Sequence, residues 1–106
     1  MTEPRSILLL GSTGSIGTQA LDVVRTNPHL FTITGLAAGG HSRRSIDLLC
    51  DQIAEFGVTE VAVADADAAQ IVQDRTGISV RVGESAATDL VLSLIHISEP
   101  TRPLYI

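Results

Sequence analysis

Ile7-Leu8-Leu9-Leu10-Gly11-Ser12-Thr13-Gly14-Ser15-Ile16-Gly17 joins an aliphatic run to a glycine-rich turn, and a helical pattern follows at once. A buried strand, a glycine turn and a helix N-terminus, in that order, form a phosphate-binding device. Glycine lets the backbone approach a pyrophosphate closely, and the free N–H groups and dipole of the helix start favour its charge. The usual dinucleotide fingerprint is G-x-G-x-x-G; Gly11, Gly14 and Gly17 make a G-x-x-G-x-x-G variant. In this reading Gly11 ends the strand, Gly14 clears the pyrophosphate and Gly17 lets the helix pack. Thr13 and Ser15 add hydroxyl donors. A β–α turn with no ligand is the plainer alternative.

Working outward, strand and helix patterns alternate. Arg5 to Leu10 reads as a strand. From Ser15 to Thr26, Ile16, Ala20, Val23 and Val24 recur at helical spacing and predict one apolar face. Asn27-Pro28 ends that helix, because the residue before proline is pushed out of the α region. Phe31 to Ala38 is a second strand closed by Gly39-Gly40. Ile46, Leu49, Cys50, Ile53 and Phe56 mark a second helix stopped by Gly57. Val58 to Ala64 reads as a third strand. Asp65 caps a helix from Ala66 to Arg75, Ile78 to Val82 is a fourth strand, and a further helix begins within Glu84 to Leu90. The order βαβαβαβ predicts an α/β fold, a Rossmann-like doubly wound parallel sheet that is incomplete.

The alternation stops near Leu92. Ser93 to Ile106 reads SLIHISEPTRPLYI, with two prolines and no amphipathic period. The chain therefore divides into residues 1–91, the N-terminal part of a nucleotide-binding domain, and a tail, 92–106, that is non-native or disordered. The tail is similar to translated sequencing-adapter DNA; an independent DNA read across the 3′ end decides the matter.

Composition agrees with the fold class. Of 106 residues, 44% are hydrophobic but only 3% aromatic, so the core is aliphatic, as in parallel α/β layers. The net charge of −5, with no basic run, argues against nucleic acid or an anionic membrane as partner. A single cysteine, Cys50, permits no internal disulfide, which suits a reducing, cytoplasmic setting. No stretch approaches the roughly 20 apolar residues that span a bilayer.

The end of the second strand chooses the dinucleotide. An acidic residue there would hold the ribose 2′-hydroxyl of NAD. The chain instead reads Ala38-Gly39-Gly40-His41-Ser42-Arg43-Arg44. Small residues leave room, Ser42 can donate a hydrogen bond, and two guanidinium groups suit a 2′-phosphate, favouring NADP.

On these residues the chain resembles the 1-deoxy-D-xylulose 5-phosphate reductoisomerase family. The matching stretches are ILLLGSTGSIGTQALDVVRTNPHLF, ITGLAAGG and GVTEVAVADADAA, within roughly Ser6 to Val91. The resemblance implies the start of an NADPH-binding domain. The family's enzymes convert 1-deoxy-D-xylulose 5-phosphate to 2-C-methyl-D-erythritol 4-phosphate in non-mevalonate isoprenoid biosynthesis, with a divalent metal (Mg or Mn), as homodimers. Carried over by position, Thr13, Gly14, Ser15 and Ile16 contact NADPH, and Gly39, Gly40 and His41 lie around the adenosine ribose and its 2′-phosphate. Many family members have Lys-Asn where this chain has Gly40-His41. The family's catalytic and metal-binding residues and its sugar-phosphate contacts fall outside the matched stretch, so none is assigned here.

Other residues have structural readings. His29, His41 and His96 show no metal-ligand spacing. Cys50 on an apolar helix face reads as a buried thiol. Asp65 and Asp67 read as a cap and a first-turn acid rather than a metal pair. Two rival functions stand beside the resemblance: another NADP-dependent dehydrogenase of the semialdehyde dehydrogenase type, and a truncated nucleotide-binding module without activity.

Overall fold

The computed structural model describes residues 5–97 and 104–105. Its elements are β1 (Arg5–Leu10), α1 (Ser15–Thr26), β2 (Phe31–Ala38), α2 (Arg43–Phe56), β3 (Glu60–Val63), α3 (Ala66–Thr76), β4 (Val80–Val82), α4 (Ala86–Ile97) and β5 (Leu104–Tyr105). All strand pairs are parallel, in the order β4-β3-β2-β1-β5. The chain winds outward from β1 to β4 and then returns to the far side of β1. In such sheets ligands bind outside the carboxyl ends of the strands, where the winding reverses.

Strand periodicity sorts the core into two faces. Ile7 and Leu9 of β1, Leu36 and Ala38 of β2, and Val61 and Val63 of β3 pack with Leu21, Val24, Leu49, Ile53 and Val72 from α1, α2 and α3. Leu8, Ala37 and Ala62 point the other way and meet Ala86 and Leu90 of α4. Alanines on that face let α4 lie close to the sheet.

Two expectations change. The buried residues of α1 are Gly17, Leu21 and Val24, whereas Ile16 is 73% and Val23 53% exposed. The inward face is thus turned by one residue from the predicted one. Gly17 explains the rotation: a Cβ there would lie 2.3 Å from the Gly11 carbonyl oxygen, so this helix face is seated on the turn. The third and fourth strands are also shorter than predicted, the fourth pairing with β3 only from Val80. Val58 is buried, but pairing with β2 begins only at Glu60.

Beyond Leu90 the helix continues to Ile97, since Val91 to Ile97 contains no proline or glycine to stop it. Leu104 and Tyr105 pair with Ile7 and Leu8. The rest of the expected tail, residues 98–103 and 106, lies outside the described residues. Among the described residues no helix is long and apolar enough to cross a membrane.

Candidate nucleotide-binding site

The carboxyl edge of the sheet carries two adjoining loops, residues 11–14 after β1 and residues 39–42 after β2. Gly11 turns the chain at φ +72°, a conformation that side chains disfavour. The Gly11 and Ser12 N–H groups both donate to the Ala37 carbonyl, at 2.8 and 3.0 Å, which ties the turn to the end of β2. The Thr13 and Ser45 hydroxyls share a hydrogen bond of 2.8 Å, and Gln52 Nε2 donates to the Ser12 carbonyl at 2.9 Å. Helix α2 thus holds the glycine turn at two points.

The next residues are left open. Gly14 is the N-cap of α1 and has no side chain to cap it, and the first turn holds no acid. Gly14, Ser15 and Ile16 are exposed. The first N–H groups of a helix have no acceptor within the helix, so this corner presents donors and the positive dipole end to whatever lies outside. Gly14 itself has φ −77°, and a Cβ there would meet only the Gly11 carbonyl oxygen, at 3.4 Å. Neither backbone conformation nor internal packing demands glycine at this position. The absence of a side chain leaves the α1 start uncovered, and a phosphate suits such a donor set.

The second loop is built differently. Gly40 has φ +76°, and a Cβ there would lie 2.7 Å from Ala68 Cβ and 2.9 Å from Val63 Cγ1, so α3 and β3 close around it. The His41 ring lies over Gly39, whose notional Cβ would be 2.6 Å from His41 Cδ2. A bulky residue at either glycine would displace its neighbours, which keeps this loop low against the sheet. Ser42 caps α2 by accepting the Ser45 N–H at 3.1 Å. That hydroxyl, expected as a donor to ligand, therefore has an internal task.

Beside this loop lies a cleft of about 600 Å³ between α2 and α3, lined by Gly40, His41, Ser42, Arg43, Ile46, Asp47, Ile71 and Arg75. Of the two arginines singled out in the sequence, Arg43 lines it and Arg44 does not. Arg75 adds a second guanidinium, held by Asp47 at 2.6 Å and raised above its ordinary pKa by that bond. The cleft therefore joins Arg43 and the Arg75–Asp47 ion pair to the apolar surfaces of Ile46 and Ile71. The glycine turn does not line it.

Thr13, Gly14, Ser15 and Ile16 thus share one corner, and Gly39, Gly40 and His41 share the next. Sequence reasoning missed Ser45, Gln52 and Arg75. Gln52 had a signal: it falls on the buried stripe of α2 beside Leu49 and Ile53, a polar residue where the period asks for an apolar one. Cys50 is buried as expected, and burial pushes its thiol pKa up. Asp65 caps α3 as expected, accepting the Ala68 N–H at 2.9 Å. Among the described residues no group of three or more His, Cys, Asp or Glu is placed to hold a metal ion.

The profile of the family described as 1-deoxy-D-xylulose 5-phosphate reductoisomerase matches residues 7–96. A protein of that name from Rhodococcus jostii (strain RHA1) is 56% identical over 88 residues, covering 83% of this chain and 21% of the relative. The fold is similar to that of the Zymomonas mobilis reductoisomerase solved with NADPH, at TM-score 0.75 and 23% identity, over 89% of this chain and 25% of that one. A second reductoisomerase structure, solved with magnesium, gives TM-score 0.71 at 21% identity over 96% of this chain and 24% of that one. The chain spans about a fifth of the length of the curated relative.

Proposed function

The chain belongs to the 1-deoxy-D-xylulose 5-phosphate reductoisomerase family, and we propose that it is the NADPH-binding portion of such an enzyme. One observation carries the reading: an exposed, uncapped α1 start follows a glycine turn pinned to β2 and α2, so backbone donors are held ready for a pyrophosphate. Thr13, Gly14, Ser15 and Ile16 hold that group. Gly39, Gly40 and His41 border the adenosine ribose, and Arg43, which lines the cleft beside them, meets its 2′-phosphate. When bound, NADPH supplies the hydride that completes the conversion of 1-deoxy-D-xylulose 5-phosphate to 2-C-methyl-D-erythritol 4-phosphate. The residues present here bind and orient; none of them is assigned to the chemical step. The divalent metal (Mg or Mn) and the sugar-phosphate belong to the part of the family's length that this chain does not span. Homodimer formation and a cytoplasmic setting follow from the same family reading.

Titration of the chain with NADPH and NADH tests the proposal. The expected result is tighter binding of NADPH. Arg43→Ala should narrow that preference by about tenfold, one charge-assisted contact to phosphate. Arg44→Ala should leave it nearly unchanged. Equal affinity for the two cofactors would remove the 2′-phosphate assignment, and no binding of either would remove the whole reading.

A further inference from the structure

Gln52 is 5% exposed, within the packed face of α2, and its Nε2 donates to the Ser12 carbonyl across 40 residues of sequence. Its own Oε1 and the buried Ser12 hydroxyl have no hydrogen-bond partner among the described residues. A buried amide with half its bonding capacity unused costs stability relative to an apolar side chain of similar shape. Met or Leu would fill the same space but leave the carbonyl of the fully buried Ser12 without a donor, so the glutamine serves that peptide rather than the packing.

Its task is to orient one peptide plane. In a planar trans peptide the C=O and the N–H that follows point in opposite directions. With the Ser12 carbonyl turned inward to Gln52, the Thr13 N–H is turned away from α2. It has no partner among the described residues and immediately precedes the exposed Gly14 and Ser15. We propose that Gln52 is a positioning residue of the anion-binding turn, setting the Thr13 N–H as a donor to the pyrophosphate of NADPH. The inference rests on the NADPH reading above. Gln52 touches no ligand itself; the Thr13–Ser45 bond holds the other side of the same residue and keeps the plane from swinging back.

The test compares two ligands on the 106-residue chain and its Gln52→Met variant. NADPH engages the turn. Adenosine 2′-monophosphate carries the adenosine end and the 2′-phosphate without a pyrophosphate, so it bypasses the turn. Gln52→Met should weaken NADPH about tenfold, the scale of one hydrogen bond to a charged group, and leave adenosine 2′-monophosphate unchanged, while the thermal midpoint falls because the buried Ser12 carbonyl loses its donor. Gln52→Asn keeps the amide but shortens its reach, and it should give the same ratio. It decides the question should the methionine variant lose its cooperative transition. Unchanged NADPH affinity in either folded variant overturns the proposal. So does an equal loss for both ligands, the mark of a purely structural residue. Failure of the unmutated chain to bind NADPH would instead strike the cofactor reading, and this inference with it.

Discussion

Helix α3 begins at Asp65, whose carboxylate takes the Ala68 N–H, whereas α1 begins at Gly14, which offers nothing. The two N-cap residues have similar extended backbones, φ −81° and ψ 125° against φ −77° and ψ 173°. Only the side chain differs. Helix α2 follows the pattern of α3, with Ser42 as its cap. Two of these helix starts at the carboxyl edge thus cap themselves with a side chain, and the one that follows β1 does not. A capping side chain in place of glycine is worth a few tenths of a kcal/mol of stability. Leaving α1 without one forgoes that gain and leaves its first N–H groups without a side-chain acceptor.

The largest expected effect comes from disturbing the seat of α1. Gly17→Val places atoms on the Gly11 carbonyl and the Ser12 backbone, which no side-chain adjustment relieves. Denaturant unfolding should show a loss of about 3 kcal/mol, with NADPH binding lost in parallel. A mild effect would mean that the turn is softer than its packing implies.

Next comes the substitution that would make α1 resemble α3. Gly14→Asp supplies a carboxylate acceptor on a backbone that already has the right conformation. Stability should rise by a few tenths of a kcal/mol. NADPH affinity should fall at least about 100-fold, roughly 2.7 kcal/mol, because the new carboxylate both occupies the donors and repels phosphate. Isothermal titration beside a thermal melt reads both quantities. Retained affinity in this variant would collapse the distinction between the two helix starts.

The smallest effect is the converse. Asp65→Ala should lower stability by about 1 kcal/mol and leave NADPH affinity unchanged. A fall in affinity comparable to that of Gly14→Asp would show that the α3 start also serves the cofactor.

Where the local sequence carries its own punctuation, the reading was close. β1, α1 and β2 have the boundaries expected from aliphatic runs broken by Gly11, Asn27-Pro28 and Gly39. The cap at Asp65 lies where expected, a short polar side chain before a helical period; Ser42, read as a donor to ligand, proves to cap α2. The inward face of α1 was not legible, because Ile16 and Val23 suit a buried stripe as well as Leu21 does. Tertiary contact of Gly17 with the turn sets the rotation. Gln52 and Ser45 were missed because their bonds to Ser12 and Thr13 join residues far apart in the chain. Arg43 and Arg44 were indistinguishable as neighbours; a helix separates them by about 100°, so one faces the cleft and the other does not.

The β–α alternation, the parallel class of the sheet and the position of the glycine turn were written in local composition. Hydrophobic period, β–α alternation and glycine placement act over a few residues and need no distant partner. The orientation of that turn, the arginine that meets the cleft and the residues that hold the Ser12–Thr13 peptide were settled only by the packing of α2 against β1 and β2. Those features depend on the distance and angle between segments, which a local pattern does not encode.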